Sequence, residues 1–229
     1  MKTVTYREYP GADLDLSLTV PKDGELVVDI TDLWRIKPLK VTGNIDIQDG
    51  GKLTIVQVDF GNFDIDLDVR VTLKEKSEFY YHLAALATAT DRKIYTADVV
   101  HVGKESKSRT SMFGVCMDES HMEFLGSSDI KRGAAKTWTR QEGKIVNLSS
   151  KAKGVVSPAL LIGEEDVFAS HGATMGSVPD DDIFYLMSRG LDLDTAKRLI
   201  MVGYLKPVAL MLENPKVKDE AIGLLEKEI

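Results

Sequence analysis

The sequence predicts a mainly β protein closed by a small C-terminal α-helical segment. Three observations predict it. From Asp13 to about Ala169 apolar residues recur with period two, the signature of strands with one buried and one wet face. Turn-forming clusters break these runs at intervals of roughly ten residues. After Met175 the apolar spacing lengthens to three and four, as on a helix. The change divides the chain into a β body over residues 1–178 and a helical segment over residues 179–229.

Taken in order, "DLDLSLTV" sets Leu14, Leu16, Leu18 and Val20 on one side, and "PKDG", "TGN", "QDGG" and "FGN" read as turns. "FDIDLDVRVTL" aligns Phe63, Ile65, Leu67, Val69, Val71 and Leu73, with Asp64, Asp66 and Asp68 opposite. That acidic row lacks the glycine hinge and closing glutamate of a calcium loop, so it reads as a solvated face. "VGKESKS" resembles a phosphate loop only superficially. The positions that need a glycine and a hydroxyl hold Asp98 and Glu105, which leaves a polar turn entering a strand.

"CMDESH" gathers four metal-capable side chains. In an extended strand Cys116, Asp118 and Ser120 face one way while Glu119 and His121 face the other, so Cys116 reads first as a buried structural cysteine. "DVFASHGATMG" sets His171 among small residues where the chain leaves a strand. There it is either a hydrogen-bonded turn histidine or a metal-capable imidazole that another backbone can approach. Ser170 and His171 form no dyad, because adjacent strand residues point apart.

Three helices follow. "SVPDDDIFYLMSRG" opens on Asp180, Asp181 and Asp182, which suit the positive end of a helix, and stops at Gly190. "LDLDTAKRLIMVGYL" follows an Asp192 cap, with Ala196, Leu199, Ile200, Gly203 and Pro207 as its apolar stripe. "VKDEAIGLLEKEI" repeats the pattern with Ala221, Leu224 and Leu225. For the β body, repeated strand–turn units without Greek-key markers or a disulfide favour a solenoid. Periodicity alone leaves a sandwich or barrel open.

Composition narrows the function classes. Among 229 residues, 36 acidic against 29 basic side chains give a net charge of -7, which argues against nucleic acid as a partner. One cysteine builds no disulfide and fits a reducing compartment. The N-terminus lacks a signal peptide's apolar region, and "LIMVGYLKPVALML" is broken by Lys206 and Pro207. The expectation is a soluble, cytoplasmic chain with no membrane partner.

"KSRT" from Lys107, "GVCMDESHMEFLG" from Gly114, "DVFASHGATMG" from Asp166 and "DDDIFYLMSRGLDLDTAKRLIMVGYLKP" from Asp180 together resemble the SufB/SufD family, the scaffold subunits of the SUF iron-sulfur cluster assembly system. The resemblance covers most of the chain in order. It implies a right-handed parallel β-helix with a C-terminal helical segment, and a scaffold that carries a transient iron-sulfur cluster without turnover chemistry of its own. It further implies dimerisation through the β-helices, as a homodimer or with a B-type scaffold. An ABC-type ATPase subunit would contact the helices between about Asp181 and Leu212, where Phe184, Tyr185, Arg189, Leu199 and Tyr204 are the partner-binding candidates.

The same resemblance places the histidine implicated in cluster assembly at His171, near the dimer interface. Two departures accompany it. Glu142 stands where B-type subunits carry a functional cysteine, and the resemblance implies a short member, expected to lack the helical region that precedes the β-helix in typical members. Cys116 and Glu142 are the further cluster or metal candidates. One thiol and one imidazole do not make a four-thiolate site, whereas a symmetric dimer doubles both. Two other readings are a structural ATPase-binding relative without cluster chemistry and a β-solenoid enzyme acting on polysaccharide; for the latter no catalytic constellation or secretion signal is found.

Overall fold

The computed structural model describes residues 2–8 and 13–227. The strands are β1 (Lys2–Glu8), β2 (Leu14–Asp15), β3 (Leu18–Val20), β4 (Glu25–Asp32), β5 (Leu39–Ile47), β6 (Lys52–Asp59), β7 (Ile65–Leu73), β8 (Glu78–Ala87), β9 (Arg92–His101), β10 (Lys107–Cys116), β11 (His121–Ile130), β12 (Thr137–Asn147), β13 (Lys153–Ile162) and β14 (Val167–Ser177). Helices α1 (Asp180–Ser188), α2 (Leu193–Ala209) and α3 (Pro215–Lys227) follow.

Alternate strands stack into two parallel sheets. Sheet A runs β1-β4-β6-β8-β10-β12-β14, and sheet B runs β13-β11-β9-β7-β5-β2 with β3 also on β5. From β4 onward the strands of sheet A start at residues 25, 52, 78, 107, 137 and 167, so one circuit takes 26 to 30 residues. The chain is therefore a β-solenoid, and the choice that periodicity leaves open is decided by pairing between circuits. Variable circuit length hides the repeat from sequence reading.

Inward positions fill the lumen with Leu53, Ile55, Phe79, Tyr81 and Leu83 from sheet A, against Leu67, Val69, Val71, Tyr95 and Val99 from sheet B. On β5 and β7 burial alternates strictly, and Asp64, Asp66 and Asp68 lie exposed. Phe63 departs from the expected stripe. It sits in the corner before β7 at φ 76° and is 44% exposed. Corners recur at Lys76, Glu105 and Lys136, all with positive φ and none of them glycine. The glycine of "VGKESKS" has a packing role instead: a Cβ on Gly103 would lie 2.0 Å from the Glu75 backbone nitrogen of the circuit below.

The second halves of β6, β8 and β10 are buried on both faces, because α2 and α3 cover the outside of sheet A. Val56, Val58, Ala84, Leu86 and Val115 form this outer core with Met201, Leu205, Val208, Leu212 and Leu225. Asp192 caps α2, accepting the Thr195 N–H at 2.7 Å. The buried stripe of α2 is Ala196, Met201, Leu205 and Val208, not the expected Leu199, Gly203 and Pro207, which lie exposed. The reason is tertiary: the helix turns toward the apolar outer columns of sheet A. Asp29 on β4 ties the segment down, its Oδ2 accepting the N–H groups of Glu213 and Asn214 at 2.7 and 2.9 Å.

Candidate functional site

The last circuit, β13 with β14, is built unlike the others. Each strand pairs on one side only, β13 with β11 and β14 with β12, and each ends its sheet. An edge strand presents unpaired N–H and C=O groups, and such edges are normally blunted with charge or covered. Here Leu161, Ile162, Phe168 and Met175 are 47–58% exposed, and nearly all of β14 faces solvent.

His171 lies in the middle of β14, not in a turn, because pairing with β12 carries the strand through to Ser177. Its register partner is Gln141, and paired residues of in-register parallel strands share a face. Gln141 is buried and points into the lumen, its Nε2 donating to Ser128 Oγ at 2.7 Å and to the Ala159 carbonyl at 3.3 Å. His171 thus stands on the lumen side of the open last circuit, exposed at its mouth. Beneath it the lumen turns from aliphatic to polar. Ser128 Oγ and Ser108 Oγ both bond Thr139 Oγ1, at 2.9 and 2.7 Å. His101 bridges Ser106 and Ser108 with its two ring nitrogens at 2.8 and 2.9 Å, and burial pushes its pKa down to about 4. A neutral imidazole, one nitrogen donating and one accepting, completes this ladder.

Glu142 is one position from the His171 column and faces the opposite way. It pairs with Gly172 in register, and its Oε2 lies 3.6 Å from Arg109 and 4.0 Å from Arg140 on the outer surface of sheet A. Cys116 is remote from both. Its column runs Cys116–Asn147–Ser177, six residues along the strand from the column Thr110–Gln141–His171. That is about 20 Å along the strand and about 10 Å across two strands, at roughly 3.3 Å per residue and 4.8 Å between strands. The thiol is fully buried, and burial pushes its pKa up to about 12, which suits an inert structural cysteine.

The expected strand through "CMDESH" is absent. β10 ends at Cys116, Asp118 takes a corner at φ 53°, and β11 starts at His121, whose Nε2 lies 2.8 Å from Glu123 Oε1. Among the described residues no three His, Cys, Asp or Glu side chains converge on a metal-binding point. A metal held at His171 would need donors beyond the described side chains.

Of the partner-binding candidates, Phe184 and Tyr185 are 73% and 57% exposed on α1, which has no buried residue. Arg189 lies over the Tyr185 ring at 5.2 Å and donates to its hydroxyl at 3.2 Å. Leu199 is exposed on α2, while Tyr204 is half-buried beneath Lys144, whose Nζ sits 4.3 Å from the ring centroid. Gln141 and the hydroxyl ladder escaped sequence reading. Their only signal was polar residues on the inward phase of strands, at Ser108, Ser128, Thr139 and Gln141. No helix among the described residues is long and apolar enough to cross a membrane.

Comparison with known proteins adds an independent line. Residues 37–204 match the family described as SUF system FeS cluster assembly, SufBD core domain. The iron-sulfur cluster assembly protein SufD of Bacillus subtilis is 37% identical over 135 residues, 59% of this chain and 31% of that protein. Protein ABCI7, chloroplastic, of Arabidopsis thaliana is 22% identical over 179 residues, 65% of this chain and 38% of that protein. The SufBD family protein ycf24 of Galdieria sulphuraria is 26% identical over 153 residues, 65% of this chain and 67% of that protein. The chain spans about a third of the length of the first two. With the family match extending from β5 into α2 and the solenoid it accompanies, this chain belongs to the SufBD core family of the SUF system for iron-sulfur cluster assembly.

Proposed function

We propose that the chain is a scaffold subunit for iron-sulfur cluster assembly, without turnover chemistry of its own, that pairs through its last circuit and works with an ABC-type ATPase bound to its helices. The observation that carries this reading is the open last circuit with His171 at its mouth: an uncovered, partly apolar edge beside an imidazole that meets no set of metal co-ligands among the described residues. Pairing two such edges would satisfy the free backbone groups and bury Leu161, Ile162 and Phe168. It would also bring a second set of donors toward His171, from a like chain or from a B-type scaffold. The exposed Phe184, Tyr185 and Leu199 support the helical segment as the ATPase contact. The cluster is cargo, bound transiently while it is built. The expected compartment is the cytoplasm.

Anaerobic reconstitution with ferrous iron and sulfide tests this, with and without the ATPase subunit. Visible absorbance of a bound cluster that is lost in His171→Ala, together with co-elution of the ATPase that is lost in Phe184→Ala, is the expected result. Neither cluster nor ATPase binding, alone or together, would sink the proposal. A second reading, an ATPase-binding relative without cluster chemistry, draws support from the remoteness of Cys116 and the outward face of Glu142. It predicts ATPase binding with iron retention unchanged by His171→Ala.

A further inference from the structure

A groove of 790 Å³ lies between the corner linking β4 to β5 and helices α2 and α3, and shares no residue with the last circuit. Its floor and walls are apolar: Leu33, Phe60, Leu86, Met117, Met201 and Leu224. Trp34 and Ile36 form the lip and are 68% and 76% exposed. That exposure does not come from a loose loop. Arg35, between them, is buried, with Nη2 donating to Asp59 at 3.0 Å, Nε donating to the Asn62 carbonyl at 2.9 Å and Nη1 3.2 Å from Asp32. With the intervening side chain anchored inward, its two neighbours are held outward over the groove.

Besides Arg35, four charged side chains line the groove. Asp118 Oδ2 already accepts the Ala89 N–H at 2.8 Å, and Asp194 sits in the first turn of α2, at the positive end of the helix. Lys197 and Arg198 are different. Among the described residues neither has a carboxylate within 4.0 Å, and the buried Arg198 Nε has no acceptor. Arg198 as a whole is half-buried and near enough to Asp192 for their charges to interact, yet its Nε stays unmatched, and an unmatched guanidinium donor favours an anionic oxygen. The volume falls within the range of small-molecule sites, which pair apolar walls with a few polar groups that fix orientation.

We propose that this groove binds an amphipathic organic anion, its flat apolar body beneath Trp34 and Ile36 and its carboxylate or sulfonate head on Arg198 and Lys197. The inference does not rest on the cluster-assembly reading, and its failure leaves that reading intact.

The probe is 8-anilinonaphthalene-1-sulfonate, titrated into the full chain and followed by dye emission. Trp34 and Trp138 are the two tryptophans, so Trp138→Phe makes Trp34 the sole donor for energy transfer to the dye. Expected are saturation at one dye per chain, quenching of Trp34, and at least tenfold weaker binding in Trp34→Ala and Arg198→Gln. Binding should also weaken with added salt, and uncharged 1-anilinonaphthalene should bind less tightly than the sulfonate. Far-ultraviolet circular dichroism and the melting temperature check that the variants remain folded, and Phe168→Ala and Phe184→Ala should bind the dye as the parent does. Non-saturating uptake, affinities within twofold of the parent in both groove variants, or loss of binding in Phe168→Ala or Phe184→Ala would overturn the proposal. Equal affinity for the uncharged analogue would do the same.

Discussion

Asp59 is the hinge of a buried ion cluster, and replacing it with alanine gives a prediction whose size follows from the geometry. Its carboxylate accepts from Lys93 Nζ at 2.8 Å, Arg35 Nη2 at 3.0 Å and Tyr95 Oη at 2.6 Å, and all four side chains are shut away from water. Asp59→Ala strands Lys93 with only the Gly61 carbonyl and leaves Arg35 with Asp32 and the carbonyls of Gly61 and Asn62. Breaking one partner of a buried ion pair costs about 3–5 kcal/mol. Asp32 softens the loss. Burial and the Asp59 charge push its pKa up to about 7, so without Asp59 it ionises more readily beside Arg35. The expected cost is then about 3–4 kcal/mol, a large share of the roughly 5–15 kcal/mol that holds a domain folded. Urea unfolding followed by circular dichroism reads it: with a slope of about 2 kcal/mol per molar, the midpoint falls by about 1.5–2 M. Asp59→Leu combined with Lys93→Met, which removes both charges, should recover at least half of the loss. A single-variant cost under about 1 kcal/mol, or a double variant worse than the single, would refute the reasoning.

Three other outcomes follow from local geometry. Gly103→Ala should destabilise by about 2 kcal/mol or more, since its Cβ would press on the Lys74–Glu75 backbone, whereas Gly172→Ala, with nothing within 4 Å, should change monomer stability by less than about 0.5 kcal/mol; parallel thermal melts separate them. His101 is neutral when folded down to about pH 4 and protonates near 6.5 when unfolded, so its share of stability is complete above pH 6.5 and is lost as pH falls toward 4. That share is about 3 kcal/mol, and His101→Gln should flatten it in urea titrations across this window. Asp32 has the opposite sign, since its raised pKa makes stability fall as pH rises from 3.8 toward 7, so the test is the difference between parent and variant. Cys116 should resist an aromatic disulfide reagent in the native chain and release one equivalent of chromophore in urea; prompt reaction without denaturant contradicts its burial.

Much of the fold is legible because strands and helices write their periods locally. The alternation in "DLDLSLTV" and "IDLDVRVTL", the solvated row of Asp64, Asp66 and Asp68, the Asp192 cap and the helical stripe of "AIGLLEKEI" need only neighbouring residues. Where reading failed, the cause lay in another circuit. "HLAALA" on β8 is apolar on both phases because α2, more than a hundred residues later, covers its outer face. Leu199 belongs to the solvent side of α2 because sheet A sets which way that helix turns.

The candidate site divides in the same way. The sequence alone singled out His171 as an imidazole among small residues and supplied the ordered family motifs around it. Which way His171 points was settled only by its pairing with Gln141, which places it on the lumen side and Glu142 outside. Nor does any stretch of sequence foretell the cluster of Asp32, Arg35, Asp59, Lys93 and Tyr95, drawn from three circuits. In this parallel solenoid paired residues stand 26 positions apart between β5 and β7 but 32 apart between β11 and β13, so the distance varies from circuit to circuit. Local pattern therefore determines the strands, while register determines which side chains share the lumen.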